Sequence, residues 1–156
     1  MIYVGIDPGM KGGISIIEDT NLHPIESIEM PLTADKRAID VNKVFKMMPA
    51  RLDHCFCVIE QLLTMPGQNV KATSSSAINY GKLLAVLELV GIPYQEVHPS
   101  KWKKEFQLIK KSKYGSAGVA GKLFPTEEFV TERGRLMDGK AESLLLACYA
   151  RRIYKA

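Results

Sequence analysis

Ile2-Tyr3-Val4-Gly5-Ile6-Asp7-Pro8-Gly9 continues through Met10-Lys11-Gly12-Gly13 into Ile14-Ser15-Ile16-Ile17, and the order of residue types in this stretch decides the fold. Ile2, Val4 and Ile6 alternate with Tyr3 and Gly5, and β-branched residues dominate, so the run reads as a strand buried on at least one face. Pro8-Gly9 and Gly12-Gly13 force a tight reversal, and Ile14 to Ile17 form the antiparallel return. Asp7 therefore ends a buried strand at a glycine turn, a setting that suits a metal or a phosphate. Taken alone, an Asp before Pro-Gly is equally well explained by a hydrogen bond to its own turn. A second acid shifts the balance: Cys55-Phe56-Cys57-Val58-Ile59-Glu60 is another short apolar strand ending on a carboxylate. If the two strands are parallel neighbours, Asp7 and Glu60 leave the sheet at one edge, where open α/β sheets bind their ligands.

A third acidic element lies near the C-terminal end. Met137 to Arg152 has helix-forming composition, and Asp138 and Glu142, four apart, face one way near its first turn with β-carbons ~6 Å apart. Acids at a helix N-terminus also cap free N–H groups and complement the macrodipole, which suffices to explain such a pair in isolation. Here two other acids already wait for a partner.

Between these motifs, Pro24 to Met30 offers a third strand that completes an antiparallel meander, with Glu26 and Glu29 solvated. Asp40 caps a helix through Val41, Val44, Phe45, Met47 and Met48 that stops near Pro49. A long helix from about Lys71 to Val90 ends at Gly91. Its apolar positions, Leu83, Leu84, Val86, Leu87, Leu89 and Val90, are too many for a one-sided stripe, so it is expected to be buried on two sides, under a neighbouring element or in a subunit interface. Ile92 to Val97 gives a fifth strand, followed by a short helix start at Pro99. Lys101, Lys103, Lys104, Lys110, Lys111 and Lys113 follow, with Glu105 the one acid among them. Trp102 and Phe106 pack this segment to the core. A solvated lysine face is the ordinary explanation, but beside a cluster of acids it argues for an anionic substrate. The expected order is three strands, helix, strand, helix, strand and two helices.

The length of 156 residues fits a single domain, 1–156, that buries its apolar surface without disulfides. Twenty-one Lys+Arg against seventeen Asp+Glu give a formal charge of +4, too modest to argue for nucleic acid by itself. The N-terminus enters the first strand directly, without a basic region and apolar stretch, so no signal peptide is expected, and no apolar run is long enough to span a bilayer. Cys55, Cys57 and Cys148 are odd in number and placed as core thiols, which points to a reduced, cytoplasmic protein. A zinc site at His54, Cys55 and Cys57 is disfavoured, because the spacing is wrong and no second pair exists. His23 and His98 are solitary and read as structural or exposed.

The ordered set resembles the ribonuclease H-like superfamily, and within it the RuvC-type Holliday junction resolvases. The resemblance is carried by Gly5-Ile6-Asp7-Pro8-Gly9 with Gly12-Gly13, by Val58-Ile59-Glu60, by the lysine-rich stretch after Val97, and by Asp138-Gly139-Lys140-Ala141-Glu142 leading into Leu144 to Ala147. It implies an α/β fold with a five-stranded mixed sheet, an antiparallel meander plus parallel strands, flanked by helices. It also implies that Asp7, Glu60, Asp138 and Glu142 hold two divalent metals, Mg²⁺ or Mn²⁺, as all-carboxylate ligation favours, and that Lys103 and Lys113 contact the scissile region. Lys101, Lys104, Lys110 and Lys111 join these two as DNA-binding residues.

The implied activity is that of a crossover junction endodeoxyribonuclease: a homodimer on branched DNA that places paired symmetric nicks, without a small-molecule cofactor or membrane. The acids at positions 138 and 142 are four apart and end on Glu, where bacterial members place them three apart and end on Asp. The loop after Glu60 offers Leu62, Leu63 or Met65 where those members place an aromatic near the junction centre. Both departures resemble phage or viral resolvases. The alternatives are an RNA-processing nuclease of the same superfamily and a non-catalytic nucleic-acid-binding module of this fold.

Overall fold

The computed structural model describes residues 1–20, 23–49, 54–64 and 67–155, with Lys113 described by its backbone alone. Five strands form one sheet: β1 (Ile2–Asp7), β2 (Gly13–Glu18), β3 (Pro24–Glu29), β4 (Cys55–Glu60) and β5 (Tyr94–Val97), in the order β3-β2-β1-β4-β5. The first three make the antiparallel meander, and β4 and β5 join in parallel. β1 is thus the central strand, with Ile6 paired to Ile14 on one side and Ile59 on the other. Asp7 and Glu60, one step beyond the Ile6–Ile59 pair, emerge side by side at one edge.

Helices cover both faces. α1 (Val41–Met47) and α2 (Val70–Val90) pack one face over Val4, Ile6, Ile14, Cys57 and Ile59. α3 (Pro99–Glu105), α4 (Lys113–Leu123) and α5 (Asp138–Lys155) pack the other over Tyr3 and Val58. The lysine-rich stretch makes two helices before α5, where one was expected. The chain breaks between them because Phe106 and Leu108 are both drawn into the core, and Gln107 and Lys110 turn through positive φ of 56° and 60° to allow it.

The expected caps hold. Asp40 accepts from Lys43 N–H at 3.1 Å, and α2 ends at Gly91 with φ 78°, the left-handed conformation that glycine adopts without penalty. Some apolar positions turn outward instead: Phe45 and Ile25 are more than half exposed, and Cys148 is only partly buried. α2 buries Leu83, Val86 and Leu87 against the sheet while Ile78 and Leu89 face solvent, so its second apolar side has no cover among the described residues. No helix among the described residues is long and apolar enough to cross a membrane.

The close seat of α5 on the sheet rests on glycine. A β-carbon at Gly5 would lie 2.1 Å from the Ser143 carbonyl oxygen and 2.2 Å from the Ala147 nitrogen, both backbone atoms of α5. At the helix start, a β-carbon at Gly139 would lie 2.1 Å from the Lys11 carbonyl oxygen. Helix and sheet therefore touch backbone to backbone, which fixes where α5 carries its acids. Buried Ser143 and Ser15 hydroxyls, 2.7 Å apart, lock the same seam.

Candidate active site

Alternation along the strands aims both strand acids at the α5 face. Tyr3, Gly5 and Asp7 share one side of β1, as Phe56, Val58 and Glu60 share one side of β4, and Tyr3 and Val58 lie in the core beneath α5. Asp7 is held at its root by its own turn: Gly9 N–H donates to Asp7 Oδ1 at 3.3 Å, and Gly12 N–H to the Gly9 carbonyl at 2.8 Å. Gly12 is obligatory there, since a β-carbon would sit 2.1 Å from the Asp7 carbonyl oxygen.

Glu60 is oriented from α3. The indole Nε1–H of Trp102, a fully buried ring, donates to Glu60 Oε2 at 2.7 Å. The next residue of that helix, Lys103, extends its ammonium to Glu142 Oε2 at 3.2 Å and lies 5.0 Å from the Trp102 ring centroid. Glu142 is held on its other oxygen by Ser116 of α4, whose hydroxyl donates to Oε1 at 2.9 Å. Two strands and three helices thus orient three carboxylates around one ammonium.

The electrostatics follow from burial. Asp7 is pushed up to about 7, first by desolvation and then by the charges of Glu60 and Glu142, with the Gly9 N–H and Lys103 pulling the other way. Glu60 is also raised, chiefly by burial, against the Trp102 hydrogen bond and Lys103. Two buried carboxylates whose ionisation is opposed by burial and by the neighbouring negative charge of Glu142 form a site short of positive charge.

The sequence-predicted residues divide. Asp7, Glu60, Glu142 and Lys103 come together. Asp138, at the first residue of α5, acts electrostatically on Arg135, which itself forms a two-pronged pair with Glu29 at 2.6 and 2.7 Å; it is not among the charges that shift Asp7 or Glu60. Lys111 lines a cavity of about 190 Å³ with Lys103, Leu108, Ser112, Ser116 and Glu142, next to the acids. Lys101, Lys104 and Lys110 are exposed, and the side chain of Lys113, like Met65, lies outside the described residues. Leu62 is half-buried and Leu63 exposed in the loop after Glu60.

The sequence places Trp102 in the core, and the structure adds its second role as a donor to Glu60 and brings in Ser116, neither of which the sequence reading includes. For Trp102 a signal existed: a buried indole needs an acceptor, and an acid at a strand end nearby can supply it. Nothing in the sequence singles out Ser116.

As they stand, no three His, Cys, Asp or Glu side chains among the described residues are grouped tightly enough to hold a metal. The chemistry of the donor set nevertheless fits a hard divalent cation: all-oxygen ligands, excess negative charge, and a carboxylate whose ionisation is suppressed until a cation arrives. The Lys103 ammonium meets part of that need in the present arrangement.

No family model matches this sequence. No curated protein matches it either. Solved structures do: the fold is ribonuclease H-like, a five-stranded mixed sheet between helices, and its particular form is that of RuvC. Thermus thermophilus RuvC in complex with a Holliday junction substrate aligns with a TM-score of 0.71 at 13% identity, over 98% of this chain and 96% of that one. A second Thermus thermophilus RuvC structure aligns at 0.59 and 17% identity, over 97% and 96%.

Proposed function

We propose that this protein is a metal-dependent endonuclease that resolves Holliday junctions by paired symmetric nicks. The observation that carries the reading is the convergence of Asp7, Glu60 and Glu142 at one edge of a RuvC-type sheet, around Lys103 and beside Lys111. Phosphodiester hydrolysis needs an activated water, a stabilised leaving oxygen and relief of phosphate charge, and divalent metals at such a carboxylate cluster supply these. Asp7, Glu60 and Glu142 are the residues to hold them, in the form of Mg²⁺ or Mn²⁺. Asp138, whose charge acts on Arg135, is an auxiliary candidate. Trp102 fixes the orientation of Glu60, Ser116 that of Glu142, and Lys103 exchanges its carboxylate partner for a phosphate oxygen when DNA enters. Lys113 belongs to the same basic segment, and with Lys101, Lys104 and Lys110 it extends the DNA contact.

Two symmetric nicks need two active sites, so the functional unit in this reading is a homodimer. What supports it is the uncovered side of α2, where Ile78, Gly81, Ala85 and Leu89 are all exposed at helical spacing, Leu89 by 85%.

A gel assay of a synthetic four-way junction, a linear duplex and an RNA–DNA hybrid, each with Mg²⁺ and with chelator, tests the reading. Metal-dependent nicking of the junction in preference to the other two is expected. Cleavage of the hybrid alone would assign the site to an RNA-processing activity instead.

A further inference from the structure

A second basic groove lies on the opposite side of the sheet from Lys103 and Lys111. It holds about 430 Å³ between α2 and the loop that precedes α1, and Arg37, Lys71, Ser74, Ser75 and Lys82 line it. Its construction is fixed. Asn79, only 3% exposed, accepts the backbone N–H of buried Ile39 at 3.3 Å, pinning the loop to the helix, and Leu32 bridges to Ile39 across the loop. The neighbouring carboxylate of Asp35 is occupied by the loop itself, accepting from the Thr33 hydroxyl at 2.6 Å and the Arg37 N–H at 3.1 Å.

Its charge is unspent. Among the described residues, Arg37, Lys71 and Lys82 form no ion pair, and no acid lines the groove. A basic groove on α5 shows the opposite case. There Arg151 and Lys155 share Asp19, and Arg152 pairs with Glu105, so two carboxylates offset most of the charge of three cations and less is left for an anion.

The groove also lies at the edge of the sheet that carries the acids. Met30 N–H donates to the Gly12 carbonyl, so the loop departs beside the Asp7 turn. Tyr80 of α2 reaches Glu96, next to the end of β5, and the helix turns that precede Tyr80 stand beyond that end. Lys82 and Ser75 lie on the loop side of the α2 surface, with Asn79, while Gly81 and Ala85 lie on the other side of Ile78. Ile78, with Ser74 one turn before it, borders both surfaces, so an anion in the groove and a second chain on the uncovered side of α2 would lie on adjoining flanks of the helix.

We infer that Arg37, Lys71 and Lys82, with the hydroxyls of Ser74 and Ser75, form a second seat for a nucleic-acid phosphodiester backbone, gripping a DNA arm away from the site of cleavage. The groove takes its ligand class from the nuclease reading, and it adds a non-catalytic binding surface to the substrate path. The ligand would contact the three cations as phosphate oxygens, with no base-specific element required.

The test is equilibrium binding of a fluorescent four-way junction, in chelator to prevent cleavage, over a salt series. The full chain is compared with the Arg37→Ala/Lys71→Ala/Lys82→Ala variant and the milder Arg37→Ala/Lys71→Ala variant, which alters only exposed side chains and so spares the fold. Each lost phosphate contact lowers the slope of log K against log salt by about 0.9, so the triple variant should lose about 2.7 and the double about 1.8, with affinity reduced tenfold or more. Unchanged affinity and slope in both folded variants would overturn the seat. If the wild type nicks junctions while the variants bind as it does, the groove fails and the nuclease reading stands. If the wild type binds with the expected salt slopes but never nicks, the groove stands and the nuclease reading fails.

Discussion

Trp102 Nε1 lies 2.7 Å from Glu60 Oε2, so the helix that opens the basic segment is tied directly to the acid that ends β4. The bond joins two sequence features that are 42 residues apart, and it makes orientation of the carboxylate depend on a core aromatic. Trp102→Phe keeps most of the buried ring and removes the donor. Loss of a partner that orients a metal ligand typically costs 10–100-fold, so nicking should fall by about that factor, with a higher Mg²⁺ concentration needed for half-maximal rate. A metal titration of nicking rate reads both effects; an unaltered curve would reduce Trp102 to packing.

Asp7→Asn, Glu60→Gln and Glu142→Gln should each abolish nicking, by more than about 100-fold, the upper end of what an orienting partner costs. Junction binding should survive, and tighten in metal-free buffer as clustered negative charge is removed. Asp138→Asn should be the mildest of the four, because its charge acts on Arg135 and not on the other acids. Single-turnover nicking measured beside binding separates the two effects, and a full-rate Asp7 or Glu60 variant would refute the site.

Metal-free stability should fall as pH rises through the range 4 to 7. Asp7 carries a folded-state value near 7 against 3.8 when unexposed to its neighbours, so in that window the folded state binds the extra proton and each step upward in pH favours unfolding. Asp7→Asn removes the penalty, and above pH 7 it should be more stable than the wild type by roughly 4 kcal/mol at most. Denaturant melts at pH 5 and pH 8 in chelator check this. Added Mg²⁺ should raise the wild type and leave the variant behind; equal pH profiles would contradict the burial argument.

Lys103→Ala removes the charge that lowers both Asp7 and Glu60. Their ionisation should then move to higher pH, and the acid limb of the pH–rate profile should shift upward with it. The salt slope of junction binding should shrink by about 0.9. A variant with both profiles unmoved would leave Lys103 as a surface ion-pair partner of Glu142.

Gly5→Ala tests the seat of α5. With backbone atoms 2.1 and 2.2 Å from the added carbon, no side chain can yield, and the helix carrying Glu142 must lift from β1. Overpacking of this kind costs about 1–3 kcal/mol or more. Thermal unfolding should show it, together with loss of nicking in whatever fraction remains folded.

Much of this was legible in the chain. The alternation of Ile2 to Ile6, the glycine turn and the apolar run to Glu60 set the strands and their terminal acids, because side-chain period and turn chemistry are local. Asp40, Gly91 and the pattern from about Lys71 to Val90 likewise set helix boundaries that the structure keeps to within a residue. The break between α3 and α4 was not legible, since it depends on Phe106 and Leu108 both finding the core beneath α5. Nor were the surroundings of the acids: spacing alone placed Asp138 and Glu142 on one helical face, whereas in the structure Glu142 is among the charges that act on Asp7 and Glu60, and Asp138 is among those that act on Arg135. The sequence by itself determined which residues could carry charge at the ends of buried elements. The tertiary structure alone decided which of those charges meet, because distances between elements remote in sequence are set by how closely their backbones can pack.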